Sequence, residues 1–144
     1  MEGDVYRPQD PKISILISAG TGFPRQFYHT VASCLASRGA IVMTYDYRGI
    51  GGSNTDEFRF LDIDYPDWGR LDTPAALDSL IGDCAGIPVT HLAHSVGGHF
   101  IGLMPNHSQI TRHAFVSVGT GYFAGHHLTN IPKELFFGGS SVLI

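Results

Sequence analysis

The stretch Val89–Gly102, Val-Thr-His-Leu-Ala-His-Ser-Val-Gly-Gly-His-Phe-Ile-Gly, leaves this chain few ways to fold. It opens on an apolar run of strand length and closes on a helical pattern, with only Ser95 between them. Around the serine the order is small-x-Ser-x-small-small: Ala93, His94, Ser95, Val96, Gly97, Gly98. A strand that gives way to a helix within one residue brings backbones too close for most side chains, so small neighbours are required. Such a bend lifts the Ser95 hydroxyl above the sheet. It also aims the Val96 N–H at the same space, at a helix N-terminus where developing negative charge is stabilised. The pattern differs from G-x-S-x-G by Ala93 in place of the first glycine. Read alone, these residues also fit a plain strand–Gly–Gly–helix junction with an incidental serine.

The flanking segments repeat the alternation of strand and helix. Residues 1–12 are polar, carry Pro8 and Pro11, and read as a lead-in. Residues 13–18 (Ile-Ser-Ile-Leu-Ile-Ser) form a strand apolar enough to be buried on both faces. A glycine loop, Ala19-Gly20-Thr21-Gly22-Phe23-Pro24, follows. Phe27, Val31, Cys34 and Leu35 predict a helical stripe over 25–38, closed by Gly39. Residues 40–45 form a second strand, then the polar turn Asp46-Tyr47-Arg48-Gly49-Ile50-Gly51-Gly52-Ser53. Residues 54–72 read as an acidic loop. Residues 73–83 read as a helix capped by Thr73, with Pro74 in its first turn and Ala76, Leu77, Leu80 and Ile81 as its stripe. Strands over 89–94 and 114–118 enclose a helix over 96–103, which ends near Pro105. Residues 122–144 show no period. The pattern predicts one α/β domain, a mostly parallel sheet of about four strands flanked by helices.

With 43% hydrophobic residues in 144, the chain has enough apolar side chain for one core. A net charge of −4 without a basic run argues against nucleic acid and anionic membrane surfaces as partners. No apolar stretch reaches the ~20 residues of a membrane span, so no membrane partner is expected. The acidic start Met-Glu-Gly-Asp-Val-Tyr lacks a secretory h-region. Cys34 and Cys84 form no disulfide framework, which points to the cytoplasm.

Three segments together resemble the α/β-hydrolase superfamily. They are Ala-His-Ser-Val-Gly-Gly at 93–98, Ser-Ala-Gly-Thr-Gly-Phe at 18–23, and Asp-Tyr-Arg-Gly-Ile-Gly-Gly-Ser at 46–53. Asp67-Trp68-Gly69 with Ala75-Ala76-Leu77-Asp78 further resembles a branch of bacterial predicted serine hydrolases, esterase-like in kind. The resemblance runs from about Ile13 to Tyr122. It implies strands side by side in the order second, first, third, fourth. It makes Ser95 the nucleophile and the backbone N–H groups of Val96 and Thr21 the oxyanion hole, with Gly22 as the second choice to Thr21. Ala93, His94, Gly97 and Gly98 support the turn. The implied chemistry is hydrolysis of an ester, thioester or amide of a small acyl substrate, with no cofactor and no metal.

The same resemblance implies a triad order of serine, acid, histidine. After Ser95 the only acid is Glu134, and no histidine follows it. The chain therefore reads as a single incomplete hydrolase core over 1–144, lacking the part that bears the acid and the histidine, with impaired activity. His126 or His127 is a possible substitute base. The alternatives are a non-catalytic remnant or binding domain, and a dinucleotide-binding domain.

That last alternative rests on Gly20-Thr21-Gly22 and Asp46, which mimic a dinucleotide fingerprint. Arg25 occupies the place of its third glycine, and Pro24 intervenes. His91, His94 and His99 do not match a zinc spacing, since residues 91 and 94 face opposite sides of a strand. Asp46 and Arg48 read as turn-holding residues. Asp62, Asp64 and Asp67 lack the glycine and distal glutamate of a calcium loop. Phe58, Phe60, Tyr65 and Trp68 either line a substrate mouth or cover the sheet.

Overall fold

Ile13–Ser18 and Ala40–Tyr45 are buried along nearly their whole length, which requires a sheet covered on both faces. The computed structural model describes residues 1–54, 63–84 and 86–119. Its strands are β1 (Gly3–Tyr6), β2 (Ile13–Ser18), β3 (Ala40–Tyr45), β4 (Val89–His94) and β5 (Ile110–Val116), joined in the order β1-β3-β2-β4-β5. β3, β2, β4 and β5 run parallel, in the order that the resemblance implies, and β1 lies antiparallel on the outer edge of β3.

The lead-in expectation for residues 1–12 is corrected by β1. Four residues are too few to show a period. What makes them a strand is tertiary: Gly3 pairs with Tyr45, and the Asp46 N–H donates to the Glu2 carbonyl. Glu2 and Asp4 also sit on the Arg25 guanidinium, each at 3.0 Å.

A 3₁₀ turn at Arg25–Tyr28 leads into α1 (His29–Ser37), which Gly39 ends at φ +92°. The predicted stripe on this segment is misplaced at all but Leu35, which packs against the core. Tyr28 and Ala32 are buried, whereas Phe27, Val31 and Cys34 are exposed. Phe27 and Val31 instead border a groove of about 200 Å³ with Ile17, Leu92 and Val116, because nothing among the described residues covers the α1 face of β4 and β5.

Residues 65–72, expected as loop, are helical. α2 (Tyr65–Asp67) runs through a π turn at Trp68–Asp72 into α3 (Thr73–Asp83). Thr73 consequently caps nothing; its hydroxyl donates to the Trp68 carbonyl at 2.8 Å inside the continuous helix. Ala76, Leu77 and Leu80 bury the predicted stripe of α3 against the sheet face opposite α1.

β5 starts at Ile110, earlier than the expected 114. After Ile110 it is exposed on both faces, so Thr111, Arg112 and His113 carry no apolar signature. The expected helix over 96–103 splits into α4 (Val96–His99) and a 3₁₀ turn at Phe100–Leu103. No described helix is long and apolar enough to cross a membrane.

A chain of buried polar groups ties three strands to the π turn. The Thr73 hydroxyl spends its proton on the Trp68 carbonyl, so it accepts from the Tyr45 hydroxyl at 3.0 Å. Tyr45 then accepts from Ser18 at 2.8 Å, and Ser18 from His91 Nε2–H at 2.7 Å. One carbonyl thereby fixes the direction of every proton and the tautomer of His91.

Candidate active site

Ser95 lies between β4 and α4 with φ 51° and ψ −121°, a backbone region that belongs to glycine. Its N–H donates to the Val116 carbonyl at 2.9 Å, which pins the turn to the end of β5. Its hydroxyl makes no capping bond to α4, and the residue is half-buried.

The glycines that follow are dictated by distance. A Cβ on Gly97 would stand 2.7 Å from the Ser18 carbonyl oxygen and 3.0 Å from that of Ala19. One on Gly98 would stand 2.6 Å from a Val118 methyl. α4 thus begins in contact with the end of β2. Ala93, on the other side of the turn, is fully buried. Among the described residues, the Val96 N–H has no acceptor.

The loop after β2 comes to the same place. The Phe23 N–H closes a turn onto the Gly20 carbonyl at 3.2 Å, and Gly22 takes the position that needs positive φ, at +76°. Thr21 is exposed at its tip, and its hydroxyl is hydrogen-bonded to that of Tyr65. The Gly20 N–H donates to the Tyr28 hydroxyl at 2.9 Å, which is hydrogen-bonded in turn to His94 Nδ1 at 2.8 Å. Ser95, Val96, the Gly20–Phe23 turn and His94 are therefore brought together. His126 and His127 lie outside the described residues.

Asp46 and Arg48 hold structure. The Asp46 carboxylate is fully buried and accepts from the Arg25 N–H at 2.6 Å, the Arg25 guanidinium and the Gly52 N–H at 2.9 Å. It caps the helix start at residue 25 and ties down the Gly51–Ser53 turn. No face of it is left for a ribose, so the dinucleotide reading loses its acidic residue. The Arg48 guanidinium and N–H all bond the Asp72 carboxylate at 2.8–2.9 Å.

Trp68 is buried and stacks on Tyr47, with ring centroids 4.7 Å apart, so it covers the sheet. Tyr65 reaches from Trp68 and Phe100 to Thr21. Phe58, Phe60 and Asp62 lie outside the described residues. Among those described, no group of His, Cys, Asp and Glu is placed to hold a metal.

His91 and His94 face opposite sides of β4. His91 is sealed beneath the sheet, and burial, aided by His113, lowers its pKa to about 4. Burial raises the pKa of the Tyr28 phenol. Tyr65 is offered by the sequence only as mouth or cover, and nothing in it marks Arg25, Tyr28 or Asp72 as parts of this arrangement. Their partners lie 21 to 66 residues away, beyond any local pattern.

Residues 9–137 match the family described as serine aminopeptidase, S33. The chain belongs to that family of α/β-hydrolases. Solved structures similar to this family member include a soluble variant of monoglyceride lipase from Saccharomyces cerevisiae in complex with a substrate analogue. It is 18% identical, with a TM-score of 0.65 over 78% of this chain and 39% of that one. A thermostable carboxyl esterase from Bacillus coagulans in complex with glycerol is 18% identical, with a TM-score of 0.69 over 78% and 38%. A cold-adapted esterase from an Arctic intertidal metagenomic library is 22% identical, with a TM-score of 0.62 over 81% and 55%. These likenesses show the α/β-hydrolase fold. The S33-family chain spans about two-fifths of the first two and about half of the third. No curated protein matches its sequence.

Proposed function

We propose that Ser95 is the nucleophile of a serine hydrolase acting on an ester, thioester or amide of a small acyl substrate. The observation that carries the reading is the backbone at Ser95. A non-glycine residue held at φ 51° and ψ −121°, with its hydroxyl uncapped, keeps a strained geometry that a structural serine has no use for. In this reading the Val96 and Thr21 N–H groups receive the oxyanion, and Ala93, His94, Gly97 and Gly98 give the turn its room. Membership of the S33 family and the hydrolase folds of the similar structures support it. So do the small molecules in two of those structures, a substrate analogue and glycerol. The two unpaired cysteines suit a cytoplasmic protein.

His126 or His127 is this chain's candidate base. A serine without a base is a weak nucleophile, and an oxyanion hole with binding alone retains roughly 10³–10⁴-fold catalysis over water. A fluorophosphonate probe tests the nucleophile directly. Wild type is expected to be labelled at residue 95 and Ser95→Ala to stay unlabelled; equal labelling of the two refutes the reading.

The second reading is a hydrolase-fold unit that binds without turnover. It predicts hydrolysis of p-nitrophenyl acetate no faster than the Ser95→Ala control. Serine-dependent turnover at the level of an intact esterase excludes it.

A further inference from the structure

We propose that Tyr28 and His94 are a positioning pair that fixes the loop bearing one proposed oxyanion donor against the residue bearing the nucleophile. The proposal rests on the reading of Ser95 and the Thr21 amide given above.

The Tyr28 hydroxyl is the hinge pin. It accepts from the Gly20 N–H at 2.9 Å and is hydrogen-bonded to His94 Nδ1 at 2.8 Å. Gly20 immediately precedes Thr21, and His94 immediately precedes Ser95. A single phenol oxygen therefore links the Gly20 backbone to the His94 side chain, and so bears on the spacing of the two segments that sets the distance from the Thr21 N–H to the Ser95 hydroxyl. The loop also rests on the ring: a Cβ on Gly20 would lie 3.0 Å from His94 Nδ1 and 3.2 Å from Cε1. The Phe23 ring packs on the same imidazole at 5.5 Å between centroids, which closes the turn over it. Neither side chain touches the reacting atoms, so both act through the backbone.

The test is the second-order rate of fluorophosphonate labelling at Ser95 in the full chain. Tyr28→Phe keeps the ring and removes only the hinge oxygen. It is expected to label about 10-fold more slowly, short of the roughly 10²–10³-fold that deletion of an oxyanion donor costs, because the donor is displaced rather than removed. His94→Leu should slow labelling alike. His94→Asn, whose Oδ1 falls close to the place of Nδ1, should recover much of the rate. Amide exchange at Gly20 should quicken in Tyr28→Phe, a change that a purely packing role for the ring would not produce. Wild-type rates in Tyr28→Phe, or equal rates for His94→Leu and His94→Asn, overturn the pair. If Tyr28→Phe does not fold, the His94 comparison decides alone. An unlabelled wild type overturns instead the reading of Ser95 on which the pair depends.

Discussion

Replacing Ser95 by glycine should make the protein more stable, and replacing it by alanine should not. The Cβ at residue 95 is held at φ 51° and ψ −121°, a region that costs a non-glycine residue roughly 1–3 kcal/mol. Glycine removes that cost and gives back roughly 0.5–1 kcal/mol through the greater freedom of its unfolded chain. The net gain is about 0.5–2 kcal/mol. For a chain of this size each kcal/mol moves Tm by roughly 2–4 °C, so Ser95→Gly should melt several degrees above wild type. Ser95→Ala keeps the Cβ and the strain and loses a hydroxyl that makes no capping bond. Its shift should stay within about 0.5 kcal/mol. Both variants keep the bond from the residue 95 N–H to Val116. Thermal unfolding followed by circular dichroism, all three chains in one buffer, reads the difference. A Ser95→Gly chain that melts at or below Ser95→Ala shows that the turn stores no strain, and removes the main support for Ser95 as nucleophile.

Gly97→Ala drives a Cβ into two backbone oxygens, those of Ser18 and Ala19, and should destabilise by about 1–3 kcal/mol. Gly82→Ala, in open space on the exposed side of α3, should stabilise by roughly 0.5–1 kcal/mol; urea midpoints of the two should move in opposite directions. Asp46→Ala leaves the Arg25 guanidinium with only the more exposed Glu2 and Asp4, at a cost of about 3 kcal/mol by the same titration. Because the folded pKa of His91, about 4, lies below its ordinary 6.5, the folded state resists protonation. That contribution to stability is whole above pH 6.5 and is lost as pH falls toward 4. The loss is on the order of 3 kcal/mol. His91→Gln keeps a donor for Ser18 and should flatten this part of the pH–stability curve; an unchanged slope would rule out His91 as its source.

What the residues reveal by themselves follows from how local each signal is. The bend at Ser95 is legible because its requirement for small neighbours falls on adjacent positions, 93, 97 and 98. β2 and β3 are legible because both faces are buried, so every residue votes for the same state. β5 is half legible for the opposite reason: both its faces are open, and Thr111–His113 look like loop. β1 is illegible, since its strand state comes from Tyr45 and Arg25, both distant in the chain. The π turn hides likewise. Trp68–Asp72 is held by Arg48, Tyr47 and Phe100, and Gly69 is needed only because Phe100 crosses it at 2.8 Å from where a Cβ would be. The positioning of the Gly20 loop by Tyr28 and His94 is similarly a product of contacts, not of spacing.

The run of protons from His91 to the Trp68 carbonyl has a consequence for how this protein can change over time. Each member gives to the next and takes from the one before, so an apolar exchange at Ser18, Tyr45 or Thr73 strands a partner in a dry interior. Two simultaneous exchanges at neighbouring links can be gentler than either alone. These four side chains should therefore drift as a unit in descendants of this sequence, inherited or rewritten together.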